Sequence, residues 1–173
     1  MDRSQVVEQL PGLRRYARAL TGDAWAADDL VQDTLERACT KWQLWLAGTD
    51  LRAWLFTLMH NLYLNQRRTV QPTAGATPLD DVQSDLPAPD GEKDSMLDLA
   101  RCLQRLPEDQ RAVLLLVTLE DMSYAEAARA LGVPIGTVMS RLSRARSRLR
   151  DLMDGGDSTS RPVPGQPQLR RMK

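Results

Sequence analysis

Residues 123–150 read SYAEAARALGVPIGTVMSRLSRARSRLR. Ser123 and Glu126 have the S-x-x-E spacing of a capping box, in which each side chain satisfies an orphan backbone N–H at a helix start. Ala127, Ala128 and Leu131 give that helix an apolar face. Gly132 supplies the left-handed residue that ends it, and Pro134 stands where a second helix begins. In the second helix Val138, Leu142, Ala145 and Leu149 recur as one core-facing stripe. Thr137, Ser140, Arg144 and Arg148 share another face. Two short helices joined by a Gly-containing turn, the second rich in Arg, read as a DNA-binding helix-turn-helix. A plain helical hairpin with a solvated Arg face is the alternative. The lack of acidic residues between Arg129 and Arg150 favours DNA.

The rest of the chain is helical in pattern too. With 5% aromatics and ten each of Gly and Pro in 173 residues, a large β fold is not expected. The net charge of +0 conceals an uneven distribution: residues 1–70 carry about +1, 71–98 about −6, 99–154 about +2 and 155–173 about +3. Cys39 and Cys102 sit in apolar helical patterns without metal spacing and read as buried free thiols of a reducing compartment. No signal peptide and no apolar run of about 18 residues is present, so a cytoplasmic protein without membrane insertion is expected.

A short helix from about Ser4 is expected to stop at Pro11, with another from Leu13 to Thr21 closed by Gly22. Asp23 can cap a long helix to about Trp45, with Leu30, Val31, Leu35, Ala38 and Trp42 inward. Its other face carries Asp28, Asp29, Gln32, Asp33 and Glu36. With no His nearby, these acids suit a solvated or partner-docking face better than a metal. Asp50 can cap a helix through Arg68, with Leu51, Trp54, Leu55, Leu58 and Leu62 as its buried stripe. Thr57, Asn61, Leu64, Asn65 and Arg68 line an adjacent face suited to base edges or phosphates. Trp42 and Trp45 suit either the core or stacking on an unpaired base. Residues 71–94, rich in Pro, Gly, Ala and Asp, read as a linker. Helices from about Ser95 to Leu106 and from Pro107 follow, and the segment after Asp154 reads as a disordered basic tail. The expected fold is all-α: two small helical domains (1–70 and 95–154) joined by a flexible acidic linker (71–94), the second containing the helix-turn-helix, then the tail (155–173). The lone His, His60, falls on the polar side of its helix, exposed or near DNA, and no set of nucleophile, base and acid is present. No catalytic residue, metal or cofactor is expected.

In this order the segments resemble those of extracytoplasmic-function (ECF) RNA polymerase sigma factors. DDLVQDTLERA (Asp28–Ala38) is similar to the family's polymerase-clamp-binding helix. LRAWLFTLMHNLYLNQRR (Leu51–Arg68) is similar to its promoter-melting and −10 recognition segment, and Leu106–Arg150 to its −35-reading region 4. The resemblance implies binding of core RNA polymerase, through its clamp and flap regions, and of promoter DNA, with an anti-sigma factor as a further partner. It assigns Asp28, Asp29, Gln32, Asp33 and Glu36 to polymerase, and Asn61, Asn65, Arg67 and Arg68 to the −10 element. Asn61, with the loop Ala47 to Asp50, would belong to a pocket for a flipped base. Thr137, Met139, Ser140, Arg141, Ser143, Arg144 and Arg148 are assigned to the −35 element. Met139 and Ser143 stand where some relatives carry Arg and Phe. A sigma mimic that titrates an anti-sigma factor and an operator-binding regulator are the competing readings. The retained Asn61 and arginines argue against the first, and the acidic docking face against the second.

Distance adds a constraint. The two promoter elements lie about 25 base pairs apart, roughly 85 Å at ~3.4 Å per pair. A flexible linker of about 24 residues spans only about 25–30 Å r.m.s., against a contour of about 80 Å. Two-point binding therefore requires polymerase to stretch the linker, and the isolated protein is expected to bind promoters weakly.

Overall fold

The computed structural model describes residues 3–45, 50–70 and 90–154, all helical apart from turns. Seven α-helices appear in the order α1 (Arg3–Thr21), α2 (Ala24–Lys41), α3 (Leu51–Val70), α4 (Asp90–Gln104), α5 (Glu108–Thr118), α6 (Tyr124–Leu131) and α7 (Ile135–Asp154), with a 3₁₀ turn at Trp42–Leu44 after α2. Residues 71–89 of the expected linker, the pocket loop 47–49 and the C-terminal tail lie outside the described residues, whereas residues 90–94 belong to α4.

Local signals set most helix ends. Asp23 caps α2 by accepting from the Ala26 N–H at 2.7 Å, and Asp50 does the same for α3 from Ala53 at 3.1 Å. Ser123 and Glu126 form the reciprocal capping box of α6, and Gly132 closes that helix at φ 65°. The carboxylate of Glu126 is held below its ordinary pKa by the hydrogen bonds from Ser123.

Three expectations about the helices are corrected. α1 does not stop at Pro11 but runs through it. Its apolar stripe continues on both sides of the proline, with Val6, Leu13, Tyr16, Ala17 and Leu20 all buried. Each large side chain contributes about 1.5–3 kcal/mol, enough to outweigh the roughly 3 kcal/mol cost of the ring and missing N–H. α4 begins at Asp90, five residues before the position read from sequence. On α3 the buried face is Leu55, Phe56, Met59, His60 and Tyr63, whereas Leu51, Trp54, Leu58 and Leu62 are only half-buried.

The reason for that rotation is tertiary. α1, α2 and α3 pack on one another, and α5, α6 and α7 form a second bundle, but α3 also packs on α6 and α1 on α5. One hydrophobic core runs through both halves, from Leu13, Tyr16 and Phe56 to Leu116, Ala127 and Val138. A helix between two bundles must bury a wider arc than one stripe. Cys102 is buried as expected, but Cys39 is exposed on the outer side of α2.

Polar contacts fasten the halves. Arg111 of α5 is buried and donates to Tyr63 Oη of α3 at 3.0 Å, and to Gln104 Oε1 at 2.7 Å. Gln104 in turn donates to the Ala19 carbonyl of α1 at 2.9 Å. Glu120, in the turn after α5, is buried between Arg15 of α1 and Arg52 of α3. That turn contains Asp121 in the left-handed region at φ 51°, a conformation that Asp tolerates better than most residues.

Candidate nucleic-acid interface

α7 packs on α5 and α6, with Val138, Leu142 and Ala145 buried and Leu149 half-buried. That seating turns the remaining surface of α7 outward. Ser143, Arg144 and Arg148 are exposed and Met139 is 48% exposed. Thr137 and Ser140 are half-buried at the first turn, where the Ser140 hydroxyl donates to the Thr137 carbonyl at 3.1 Å. Arg141 has an acidic partner, with its Nε 3.1 Å from Asp109 Oδ2 on α5. The alternative of a simple hairpin does not account for a second basic face that sequence reading missed. Tyr124 of α6 and Met139, Ser143, Arg146 and Arg150 of α7 line an open groove of about 370 Å³. The 3.6-residue repeat of 139, 143, 146 and 150 was the available signal.

α3 carries the other set. Asn61, Asn65, Arg67 and Arg68 are all exposed. Arg67 is paired across the two halves: its Nε lies 2.6 Å from Glu108 Oε1 of α5, and that bond raises its pKa further. Beside them His60 is buried rather than exposed, a correction to the sequence reading. Burial, with the Arg141 guanidinium as the next cause, pushes its pKa down to about 4, against an opposing pull from Glu108. Its Nδ1 has no hydrogen-bond partner.

The acidic residues lie on α2. Asp28, Asp29, Gln32 and Glu36 are exposed, with Gln32 donating to Glu36 at 3.2 Å. Asp33 is half-buried and accepts from Gln66 of α3 at 3.0 Å, which ties the end of the acidic face to the −10 candidate helix. Among the described residues no group of three His, Cys, Asp or Glu could hold a metal ion. Trp42 stacks against Trp45 at 4.8 Å and meets Trp54 edge-on at 6.0 Å, so these rings form a half-buried aromatic cluster.

Two basic helical surfaces, one a helix-turn-helix, on an all-α scaffold with a separate acidic docking face define a DNA-binding transcription factor with a protein partner. Comparison with known proteins gives the particular family. Residues 6–60 match the Sigma2 domain of PhyR, and residues 96–149 match Sigma-70, region 4. The chain is 37% identical over 176 aligned residues to the ECF RNA polymerase sigma factor EcfG of Rhodopseudomonas palustris, covering 94% of each chain. It is 36% identical to the ECF sigma factor SigE of Mycolicibacterium smegmatis, over 80% of this chain and 56% of that one. Among solved structures it resembles the sigma factor RpoE of Bartonella quintana, solved with the anti-sigma factor NepR. There the TM-score is 0.75 at 32% identity, covering 88% of this chain and 96% of that one. CnrH, solved with the cytosolic domain of CnrY, follows at a TM-score of 0.66 and 27% identity, covering 90% and 88%. The chain belongs to the ECF RNA polymerase sigma factors. Among the described residues no helix is long and apolar enough to cross a membrane.

Proposed function

We propose that this sigma factor divides its work among three surfaces. The acids of α2, exposed Asp28, Asp29 and Glu36 and half-buried Asp33, dock with Gln32 on the basic clamp of core RNA polymerase. Asn61, Asn65, Arg67 and Arg68 of α3 engage the −10 element and hold it open. Thr137, Met139, Ser140, Arg141, Ser143, Arg144 and Arg148 of α7 read the −35 element, with Arg146 and Arg150 adding phosphate contacts on the neighbouring face. The observation that carries this reading is the segregation of charge: exposed acids on α2, exposed arginines and amides on α3 and α7. A basic surface suits DNA and an acidic one does not, so the polymerase surface and the DNA surfaces are separate.

The chain supplies binding and positioning rather than covalent chemistry, and strand opening follows from capture of bases that thermal fluctuation exposes. It works in the cytoplasm, where polymerase and promoters are. RpoE and CnrH were each solved with a regulatory partner. An anti-sigma factor is accordingly proposed here, holding the halves together as they are in this structure. The test is to add the chain to core RNA polymerase with a promoter library. Initiation from a shared −10/−35 pattern is the expected result; no initiation from any promoter would overturn the reading.

A further inference from the structure

Arg15 of α1 and Arg52 of α3 converge on a single oxygen. Their Nη2 atoms lie 3.2 and 3.1 Å from Glu120 Oε2, and Arg15 Nε lies 3.3 Å from Oε1. Arg52 donates to the Glu120 carbonyl as well. The Glu120 side chain is fully buried, while the arginine side chains remain 56% and 37% exposed. Gly12 makes room for this contact, because a Cβ there would come within 2.6 Å of Glu120 Oε2. Among the described residues neither arginine pairs with another carboxylate. The N-terminal half therefore holds two cations aimed at one point, and the compensating charge comes from the other half.

The pattern repeats along α3. Arg67, fifteen positions after Arg52 and about 22 Å along the helix, is neutralised by Glu108. Both acids flank α5, and Phe56, Met59 and Tyr63 lie buried between the two arginines. The second case involves an arginine already proposed for DNA.

We infer that Arg15 and Arg52 form an oxyanion seat for a promoter-strand phosphate, which Glu120 occupies as an internal stand-in while the two halves are closed. A converging guanidinium pair grips carboxylate and phosphate alike. DNA is the occupant that charge favours, since the surface proposed for polymerase is acidic. Arg52, at the start of α3, is open to an approaching strand through a cleft of about 380 Å³ that it shares with Trp45, Asp50 and Glu8. Tethered Glu120 competes from about millimolar effective concentration with non-specific DNA, whose Kd is about 10⁻⁴–10⁻⁶ M. The inference rests on the proposed function, but its test does not need polymerase.

The test uses the full chain and a fluorescent mixed-sequence single strand of about 20 nucleotides, titrated by anisotropy over a range of salt. E120Q and G12A should each bind about tenfold tighter, with a log–log salt slope steeper by about 0.7 for each phosphate gained. E120Q/R52Q should fall back to within about twofold of wild type. G12A keeps every charge and tests the inference even if E120Q fails to fold. No tightening in either single variant, or equal tightening in E120Q/R52Q, overturns it. So does an E120Q gain in affinity for core polymerase without DNA that R52Q removes, which assigns the seat to a polymerase carboxylate. Failure of the wild-type chain to initiate transcription would overturn the function and leave the single-strand result readable.

Discussion

Replacing Tyr63 by Phe removes one oxygen from the junction of the two halves and leaves no cavity. That oxygen accepts from Arg111 Nη2 at 3.0 Å, and both side chains are buried at 4% exposure. A hydrogen bond to a charged donor is worth about 1.5–3 kcal/mol. The upper half of that range is expected, since Arg111 Nε already lacks a partner and the change would strip Nη2 too. Nη1 keeps its bonds to Gln104, so the arginine stays in place and cannot turn to solvent. With a urea slope of about 2 kcal/mol/M, the unfolding midpoint should fall by about 1 M. A second readout isolates docking from folding: dyes on the exposed native Cys39 of α2 and on D154C at the end of α7 report the distance between halves. Transfer efficiency should drop before the helical signal does, and at lower urea in Y63F than in its parent. A midpoint within about 0.2 M of the parent, with unchanged transfer, would refute the claim that this bond fastens the halves.

Acid should loosen the same junction. His60 is held at about pKa 4 when folded against 6.5 unfolded, so the unfolded chain binds more protons between those values. Stability is therefore full above pH about 6.5 and declines as pH falls toward 4, by about 3 kcal/mol in all; urea midpoints across pH should show the slope, and H60Q should remove it. R144A should cost about 1–3 kcal/mol at the −35 element, roughly 5- to 150-fold in promoter occupancy with polymerase. An unchanged footprint would exclude a base-reading role. D28K/D29K should weaken association with core polymerase at least tenfold, while leaving single-stranded DNA binding by the free chain no weaker than in wild type. S123A breaks the capping box and should lower stability by about 1 kcal/mol, measurable as a thermal shift without loss of the helix-turn-helix.

The local elements were legible in the sequence because their signals act over three or four residues. The caps at Asp23, Asp50 and Ser123, the left-handed Gly132 and the apolar stripe of α7 each depend on neighbours along the chain. The exposure of Asn61, Asn65, Arg67, Arg68, Arg144 and Arg148 was legible on the same basis, since polar residues lie opposite an apolar stripe. The resemblance then supplied the order of the segments, and the relatives bear out the family. Three features required the tertiary structure. Pro11 ends a helix by local rules, and only the packing of Val6 and Leu13 on the same core carries α1 through it. His60 looks polar and outward in the sequence, yet the fold buries it. Glu120 reads as one more loop acid, whereas the fold brings it to two arginines 105 and 68 positions away. Sequence by itself determined the helices and the chemistry each face offers, because both follow from periodicity and residue type. The closed arrangement, with its arginines occupied, was decided by contacts between distant segments, whose free energy depends on shape and charge meeting in space and leaves no periodic trace in the chain.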